Sequence, residues 1–465
     1  MGVGVSGWAL ARAVAQQGQL GIVSGTALAV ILARRLQLGD PGGHMRRGMQ
    51  HFPVAGVAER ILAKYYIPGG KPAGEPFKTC PFPAIQTDAE LLELTVMGNF
   101  VEVFLAKEGH NGLVGVNYLE KVQIPTLPSL FGAMLAGVDY VLMGAGVPRA
   151  IPGVLDRLAD GKAVQLRIDV SGTQPGEEPL YQFDPQAFCG GSLPPLKRPF
   201  FLAIISSATL ATMLARKASG RVDGFIIEGR SAGGHNAPPR GPLQLSERGE
   251  PIYGARDIPD VEAIRNLGLP FWMAGSYAEP ARLAEALRLG ATGVQVGTAF
   301  AFCEESGIST DLKQRVIDQA CAGKIEVFTD PTASPTGFPF KVLQLEGTLS
   351  DAEVYAQRHR YCDMGYLRSP YRKSDGSIGY RCPAEPLEQY LSKGGKAADT
   401  CGRKCACTGL LATVGLGQVR SNHKPEVPLL TAGEDVAHIT RFLKPPHRSY
   451  TAADVIRYIL AESAR

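Results

Sequence analysis

The chain has 465 residues, 45% apolar and 20% charged, with a formal net charge of +4. That composition is ordinary for a globular chain and excludes a largely disordered protein or a coiled coil; the small charge provides no basic stripe for nucleic acid. No run of 18 apolar residues lacks a charge or Gly, so no transmembrane helix is expected, and the 55 Gly follow no collagen period and must serve turns and close backbone approaches.

From the start to about residue 300, short apolar runs alternate with helical segments. The runs fall at 20–24, 113–117, 140–144, 201–205, 223–227, 270–274 and 293–296. They are continuous rather than alternating, as in parallel strands buried on both faces. Between them, 207–218 and 279–289 carry apolar residues at helical spacing and stop at Gly220 and Gly290. This rhythm means βαβ units on a parallel sheet. Seven strands, with residues 1–5 as the stub of an eighth, predict a (β/α)8 TIM barrel, which uses about 250 residues as one domain. The stretch 20–33 is apolar enough to imitate a signal-peptide core. It lacks a basic leader and a small-residue cleavage site, and reads as a buried strand and helix of a cytoplasmic protein.

Two excursions break the rhythm. Residues 163–170 alternate and 179–185 form a second extended piece, which predicts a β-hairpin insertion at about 160–198. The second excursion begins at about 325 and is rich in Tyr, Arg, Gly and Cys. The predicted organisation is a barrel over 1–324, a Cys-rich lid over 325–415 and a helical segment over 416–465. In that last segment, 452–464 is expected to be an amphipathic helix and 432–442 another helix.

The strongest chemical signal is Glu228-Gly229-Arg230-Ser231-Ala232-Gly233-Gly234-His235, directly after a predicted strand. Loops at strand C-termini face a barrel's active site. Adjacent glycines let backbone approach a ligand, and a following His is placed to hydrogen-bond it or move a proton. A Gly-rich turn with a solvent-facing His is the plain alternative. Gly275-Ser276 and Gly297-Thr298 follow the last two strands, where barrels commonly bind phosphate through backbone N–H groups; two ordinary βα turns would look the same.

The nine Cys divide unevenly. Cys80, Cys189, Cys303 and Cys321 are scattered, whereas Cys362, Cys382, Cys401, Cys405 and Cys407 fall within 46 positions. The spacing matches neither a zinc ribbon nor a ferredoxin. A soft-metal site, a zinc site and free thiols in a lid all remain open on the residues alone. His110 precedes a strand, which puts it at the N-terminal face of the barrel. Lys393–Lys396 reads as a solvated turn. Arg46-Arg47 is either an inert surface pair or a contact for an acidic carrier protein.

The strings GRSAGGH, MAGS and GVQVGTAF, with MGVGVSGWALARAV, GQLGIVSGTAL and VNYLEK, resemble the FMN-dependent nitronate monooxygenases, formerly 2-nitropropane dioxygenases. The flavin-dependent enoyl-ACP reductases share that barrel. The resemblance covers roughly residues 1–305. It implies FMN, with Met1, Gly2 and Val3 supplying backbone near the ring and Asn117 bonding it. Ser206 or Ser207 would line a strand end, and Glu228, Gly233 and Gly234 would pass close to the cofactor. Gly275, Ser276, Gly297 and Thr298 would hold the phosphate. His235 matches the family's catalytic His. Family members carry an apolar first strand before the equivalent of Met1, so here either the start is late or strand one is a stub.

CDMGYLRSPYR, GYRCPAEP and GRKCACTGL resemble a subgroup that includes acyl-ACP dehydrogenase/isomerases with a [4Fe–4S] cluster. That resemblance implies Cys362, Cys382, Cys405 and Cys407 as ligands, with Cys401 spare. The implied activity is an oxidoreductase of fatty acid metabolism acting on acyl-ACP or acyl-CoA by dehydrogenation, isomerisation or enoyl reduction. A nitronate monooxygenase using O2 and a non-catalytic electron-transfer or assembly partner are the alternatives. The expected partners are the small-molecule substrate and an acyl carrier protein, with a homodimer allowed and neither nucleic acid nor membrane.

Overall fold

A computed structural model describes residues 2–174, 176–420, 424–444, 446 and 448–461. The strands in chain order are β1 (Gly21–Ser24), β2 (Val114–Leu119), β3 (Tyr140–Gly144), β4 (Val164–Arg167), β5 (Leu180–Phe183), β6 (Phe200–Ile205), β7 (Gly224–Glu228), β8 (Phe271–Ala274) and β9 (Gly293–Gln295). Then come β10 (Glu326–Asp330), β11 (Phe340–Gln344), β12 (Ser369–Arg372) and β13 (Ile378–Arg381).

All seven predicted runs form one parallel sheet, in the order β1-β2-β3-β6-β7-β8-β9. Helices connect the strands on the outside, giving a TIM-barrel-like α/β fold. The outward faces of β2, β3, β6 and β7 place Val116, Val141, Met143, Phe201, Ala203, Phe225 and Ile227 in the main core. The predicted hairpin insertion is β4 paired antiparallel with β5.

The eighth strand is a correction. Among the described residues, 2–5 form a turn, with the Val5 N–H on the Gly2 carbonyl at 3.2 Å. Gly4 takes φ +69°, a left-handed value that breaks extended pairing. The segment still lies beside β1, because Ser24 N–H donates to the Ser6 carbonyl at 2.8 Å. Between β1 and β9 the wall is built from helices. Trp8–Gln16 brings Leu10 and Val14, and Ala452–Leu460 brings Val455, Ile456 and Ile459, into one buried cluster. The predicted extension of that terminal helix to 464 lies partly outside the described residues, and 434–442 is a 3-10 helix (Glu434–Phe442).

The Cys-rich region folds down onto the barrel. Ala406, Cys407, Leu410 and Leu411 of helix Ala406–Thr413 join the main core. Buried ion pairs fasten the region. Arg34 bonds Asp363 at 2.6 Å, and Arg358 grips Glu426 through both carboxylate oxygens at 2.7 Å. Arg46 and Arg47 pair with Asp40 and Glu108. His110 bonds the Ala106 carbonyl at 2.7 Å and accepts the Gly112 N–H at 3.0 Å, closing a helix end rather than serving a site. Among the described residues no helix is long and apolar enough to cross a membrane.

Candidate functional site

Successive strand residues face opposite sides of a sheet. Here the inward set is Leu142 on β3, Leu202 and Ile204 on β6, Ile226 and Glu228 on β7, and Trp272 and Ala274 on β8. With Asn117 on β2 and Gln295 on β9 they line a cavity of about 550 Å³, within the usual range for a cofactor or small-molecule site. Its floor is apolar. Among its polar side chains, Asn117, Glu228 and Gln295 stand at or near strand C-termini. Asn117 Oδ1 and Gln295 Oε1 are buried without a hydrogen-bond partner in the protein. Such orphaned acceptors are costly and call for a polar ligand.

Glycine-bearing loops roof the cavity. Gly233, Gly234, Gly275, Ser276, Gly297 and Thr298 all line it. Ser276 holds φ +57°, a left-handed conformation that a non-glycine residue keeps only where its surroundings impose it. A C-terminal strap lies across two of these loops. Thr431 Oγ1 accepts the Gly234 N–H at 2.9 Å, and the Gly433 N–H donates to Thr298 Oγ1 at 2.8 Å. Gly233 must be glycine, since a Cβ there would stand 2.6 Å from the Gly433 nitrogen. Thr431 and Asp435 also line the cavity, and Arg441 holds both oxygens of Asp435 at 2.7 and 2.8 Å.

Of the residues predicted to meet the cofactor, Gly2, Asn117, Glu228, Gly233, Gly234, Gly275, Ser276, Gly297 and Thr298 are brought together. Met1 lies outside the described residues. Val3 is buried in the main core instead of on the wall. Ser206 and Ser207 are corrections too. Ser207 Oγ accepts the Leu210 N–H and caps helix Ala208–Lys217, and neither serine is among the residues lining the cavity. Thr431, Asp435 and Gln295 were missed. Gln295 carried a signal, as a polar residue inside an apolar strand. The two strap residues carried none.

His235 follows directly on the cavity wall without lining it. Its strand-like backbone bridges to Phe340, and its ring lies 4.8 Å from the Phe340 ring. Nε2 sits 2.7 Å from Ser334 Oγ. Burial lowers the imidazole pKa to about 4, so at neutral pH it is uncharged and can accept a proton.

Burial pushes the Glu228 carboxyl the other way, up to about 7 from an ordinary 4.5. Between those values the folded chain keeps a proton that the unfolded chain has released. The resulting stability is complete below about 4.5 and is lost as pH rises through about 7. Because buried, neutral His235 acts in the opposite sense between about pH 4 and 6.5, the Glu228 contribution is read as a difference: relative to Glu228→Gln, the melting temperature of the cofactor-free wild type should fall between about pH 4.5 and 7. The same pH dependence in the variant would contradict the raised pKa of the buried carboxyl.

Cys362, Cys382, Cys405 and Cys407 line one small cavity with Pro335, Leu367 and Arg368. Burial raises the pKa of Cys362, Cys382 and Cys407, and each is raised further by neighbouring thiols of the set. Cys405 Sγ accepts the Thr408 hydroxyl at 3.0 Å. Cys401 is exposed and stands apart. Among the described residues no group of three or more His, Cys, Asp or Glu is arranged to hold a metal ion.

Residues 195–334, which carry the His235 loop and the loops at 275–276 and 297–298, are similar to the nitronate monooxygenase family. That match covers 140 of the 465 residues. A probable nitronate monooxygenase of Staphylococcus haemolyticus is 28% identical over 186 residues, covering 39% of this chain and 48% of the relative. A Mycobacterium tuberculosis protein named as (3aS,4S,5R,7aS)-5-hydroxy-7a-methyl-1-oxo-octahydro-1H-indene-4-carboxyl-CoA dehydrogenase is 30% identical over 146 residues, covering 31% and 36%. A solved nitroalkane oxidase from Streptomyces ansochromogenes aligns with 100% of this chain and 94% of its own at 15% identity and a TM-score of 0.48. The chain spans 26–48% of the length of the curated relatives it matches.

Proposed function

We propose that the protein is an FMN-dependent oxidoreductase acting on an acyl thioester. The observation that carries this reading is the cavity itself, where two orphaned amide oxygens and a buried carboxyl with a raised pKa stand beneath glycine-bearing strand-end loops. An amphipathic ring with a polar edge and a phosphate tail fits that donor set. Backbone N–H groups of Gly275, Ser276, Gly297 and Thr298 would hold the phosphate. Asn117, Glu228 and Gln295 would meet the ring's polar edge, and Gly2, Gly233 and Gly234 would pack on it. When bound, FMN supplies acceptance or donation of an electron pair. His235 then takes or returns the proton on the carbon next to the thioester carbonyl.

The thioester choice draws on two relatives named as CoA dehydrogenases. The acyl group would arrive on coenzyme A or on an acyl carrier protein. A nitronate substrate oxidised with O2 is the second reading, favoured by the names of the other relatives. For the thiol cavity we propose a [4Fe–4S] cluster on Cys362, Cys382, Cys405 and Cys407, on the support that these four line one cavity while Cys401 stays outside; the thiols would have to draw together to ligate it, since as they stand no three of them are arranged to hold a metal.

The test is an anaerobic absorption spectrum of the purified protein with iron and acid-labile sulfide analysis, followed by titration with an acyl-CoA and with an alkyl nitronate. Flavin bands that bleach with acyl-CoA are expected, with stoichiometric iron and sulfide. Bleaching by the nitronate alone would move the substrate to the second reading. Flavin that neither substrate reduces would leave an electron-transfer or assembly role, and a colourless protein that binds no FMN would overturn the reading. Zinc in place of iron would overturn the cluster.

A further inference from the structure

The loop between β10 and β11 touches both sites within three consecutive residues. Asp330 Oδ1 accepts the N–H groups of Thr332 and Ala333 at 2.8 and 2.9 Å, a side-chain turn that fixes the loop's start. Ala333 accepts the Lys404 N–H at 2.8 Å. Ser334, wholly buried, presents its hydroxyl to His235 Nε2. Pro335 lines the four-cysteine cavity. Arg403, two positions before Cys405, donates to the carbonyls of Thr332 and Ser334 at 2.8 and 2.5 Å. The loop is thus gripped by the cysteine segment on one side and bonded to the imidazole on the other.

The hydroxyl is a constrained one. Ser334 Oγ accepts the Thr336 N–H at 3.2 Å and lies 2.8 Å from Thr336 Oγ1. Thr336 Oγ1 in turn accepts the Phe338 N–H at 3.3 Å. Either hydroxyl of the Ser334–Thr336 pair can be the donor; we assign the Ser334 proton to Thr336, which leaves Ser334 a lone pair for an Nε2–H of His235. That arrangement keeps the imidazole proton on Nε2 and leaves Nδ1 bare. Nδ1 has no hydrogen-bond partner among the described residues, so its lone pair is the one free to take a proton.

We propose that Ser334 is the positioning residue of His235, holding its proton on Nε2, and that the loop carrying it makes this setting depend on the four-cysteine cavity. The expected effect on rate rests on His235 being the proton carrier. The expected effect on the imidazole does not.

Nitrogen NMR of the histidine-labelled full chain tests it. The wild type should show one dominant His235 tautomer with Nε2 protonated and Nδ1 bare. Ser334→Ala should give a mixture of tautomers, and Ser334→Thr should restore the single form. Arg403→Met and Cys382→Ser, which change the grip and the cavity without touching His235, should each move the His235 signals toward the Ser334→Ala pattern. In turnover, Ser334→Ala should lower kcat about 10- to 100-fold with KM little changed, and Ser334→Thr should recover most of it. An unchanged tautomer in Ser334→Ala would overturn the positioning role. His235 signals unmoved in both Arg403→Met and Cys382→Ser would overturn the dependence on the cysteine cavity. A tautomer shift with no flavin reduction in any variant would uphold the positioning role and reject the proposed reaction.

Discussion

Replacing His235 with Ala is expected to slow acyl-CoA-driven flavin reduction about 10²- to 10⁴-fold, the ordinary worth of a positioned general base. FMN should stay bound, because the groups proposed to hold it are backbone N–H groups of 275–276 and 297–298 and the side chains of Asn117, Glu228 and Gln295, none of which His235 supports directly. The imidazole's own bonds run to Ser334 and its ring contact to Phe340. Its loss therefore opens a gap beside the β11 edge without unroofing the cavity. Stopped-flow absorbance under anaerobic conditions reads the rate, and the flavin-to-protein absorbance ratio reads retention. Reduction at the wild-type rate would remove His235 from the chemistry. Loss of flavin from the variant would show that the residue is structural.

Arg34→Met is expected to cost about 3–5 kcal/mol of folding stability, the usual penalty for stranding one member of a buried ion pair. The Arg34 and Asp363 side chains are 3% and 0% exposed. Arg34 also donates to the Leu416 carbonyl at 2.6 Å, and its guanidinium lies 5.1 Å from the centre of the Phe77 ring. Asp363 already has one oxygen without a partner, so removing the arginine leaves a buried carboxylate without its ion-pair hydrogen bond, with only the longer-range field of Arg420 to offset its charge. Cys362 is its chain neighbour, and the cysteine cavity should loosen with it. Urea unfolding measures the cost. The double variant Arg34→Met/Asp363→Leu should recover most of it, since it strands no charge. A single-variant cost below about 1 kcal/mol would mean that water reaches the pair.

Much of this architecture is legible in the residues because it depends on local pattern. Continuous apolar runs such as 201–205 and 223–227 became adjacent parallel strands, and the alternation of 163–170 became one arm of a hairpin. The loop glycines could be placed because each follows its strand within a few positions. Ser207 shows where local pattern misleads. A serine between a strand and a helix suits both a ligand contact and an N-cap, and only the Leu210 N–H decides. Ser334, Thr431 and Gly433 were beyond reach for a different reason. Their partners His235, Gly234 and Thr298 stand 99, 197 and 135 positions away, and a lone Ser, Thr or Gly advertises nothing at such range. The thiol set lies between these cases. Its members could be picked out as a group, but nothing in their spacing showed that the loop touching them also holds His235.

The long-range ties carry a consequence for how the molecule is made. Phe77 gives and accepts main-chain bonds with Gln418, 341 residues later. At about 5–20 residues per second that separation is roughly 20–70 s of ribosomal synthesis. For most of that interval the helix bearing Arg34 lacks its Asp363 carboxylate, and for nearly all of it the Leu416 carbonyl. Nascent chains stalled before residue 363 should be captured by holdase chaperones and cut readily by protease, with resistance appearing only once the last hundred residues have emerged.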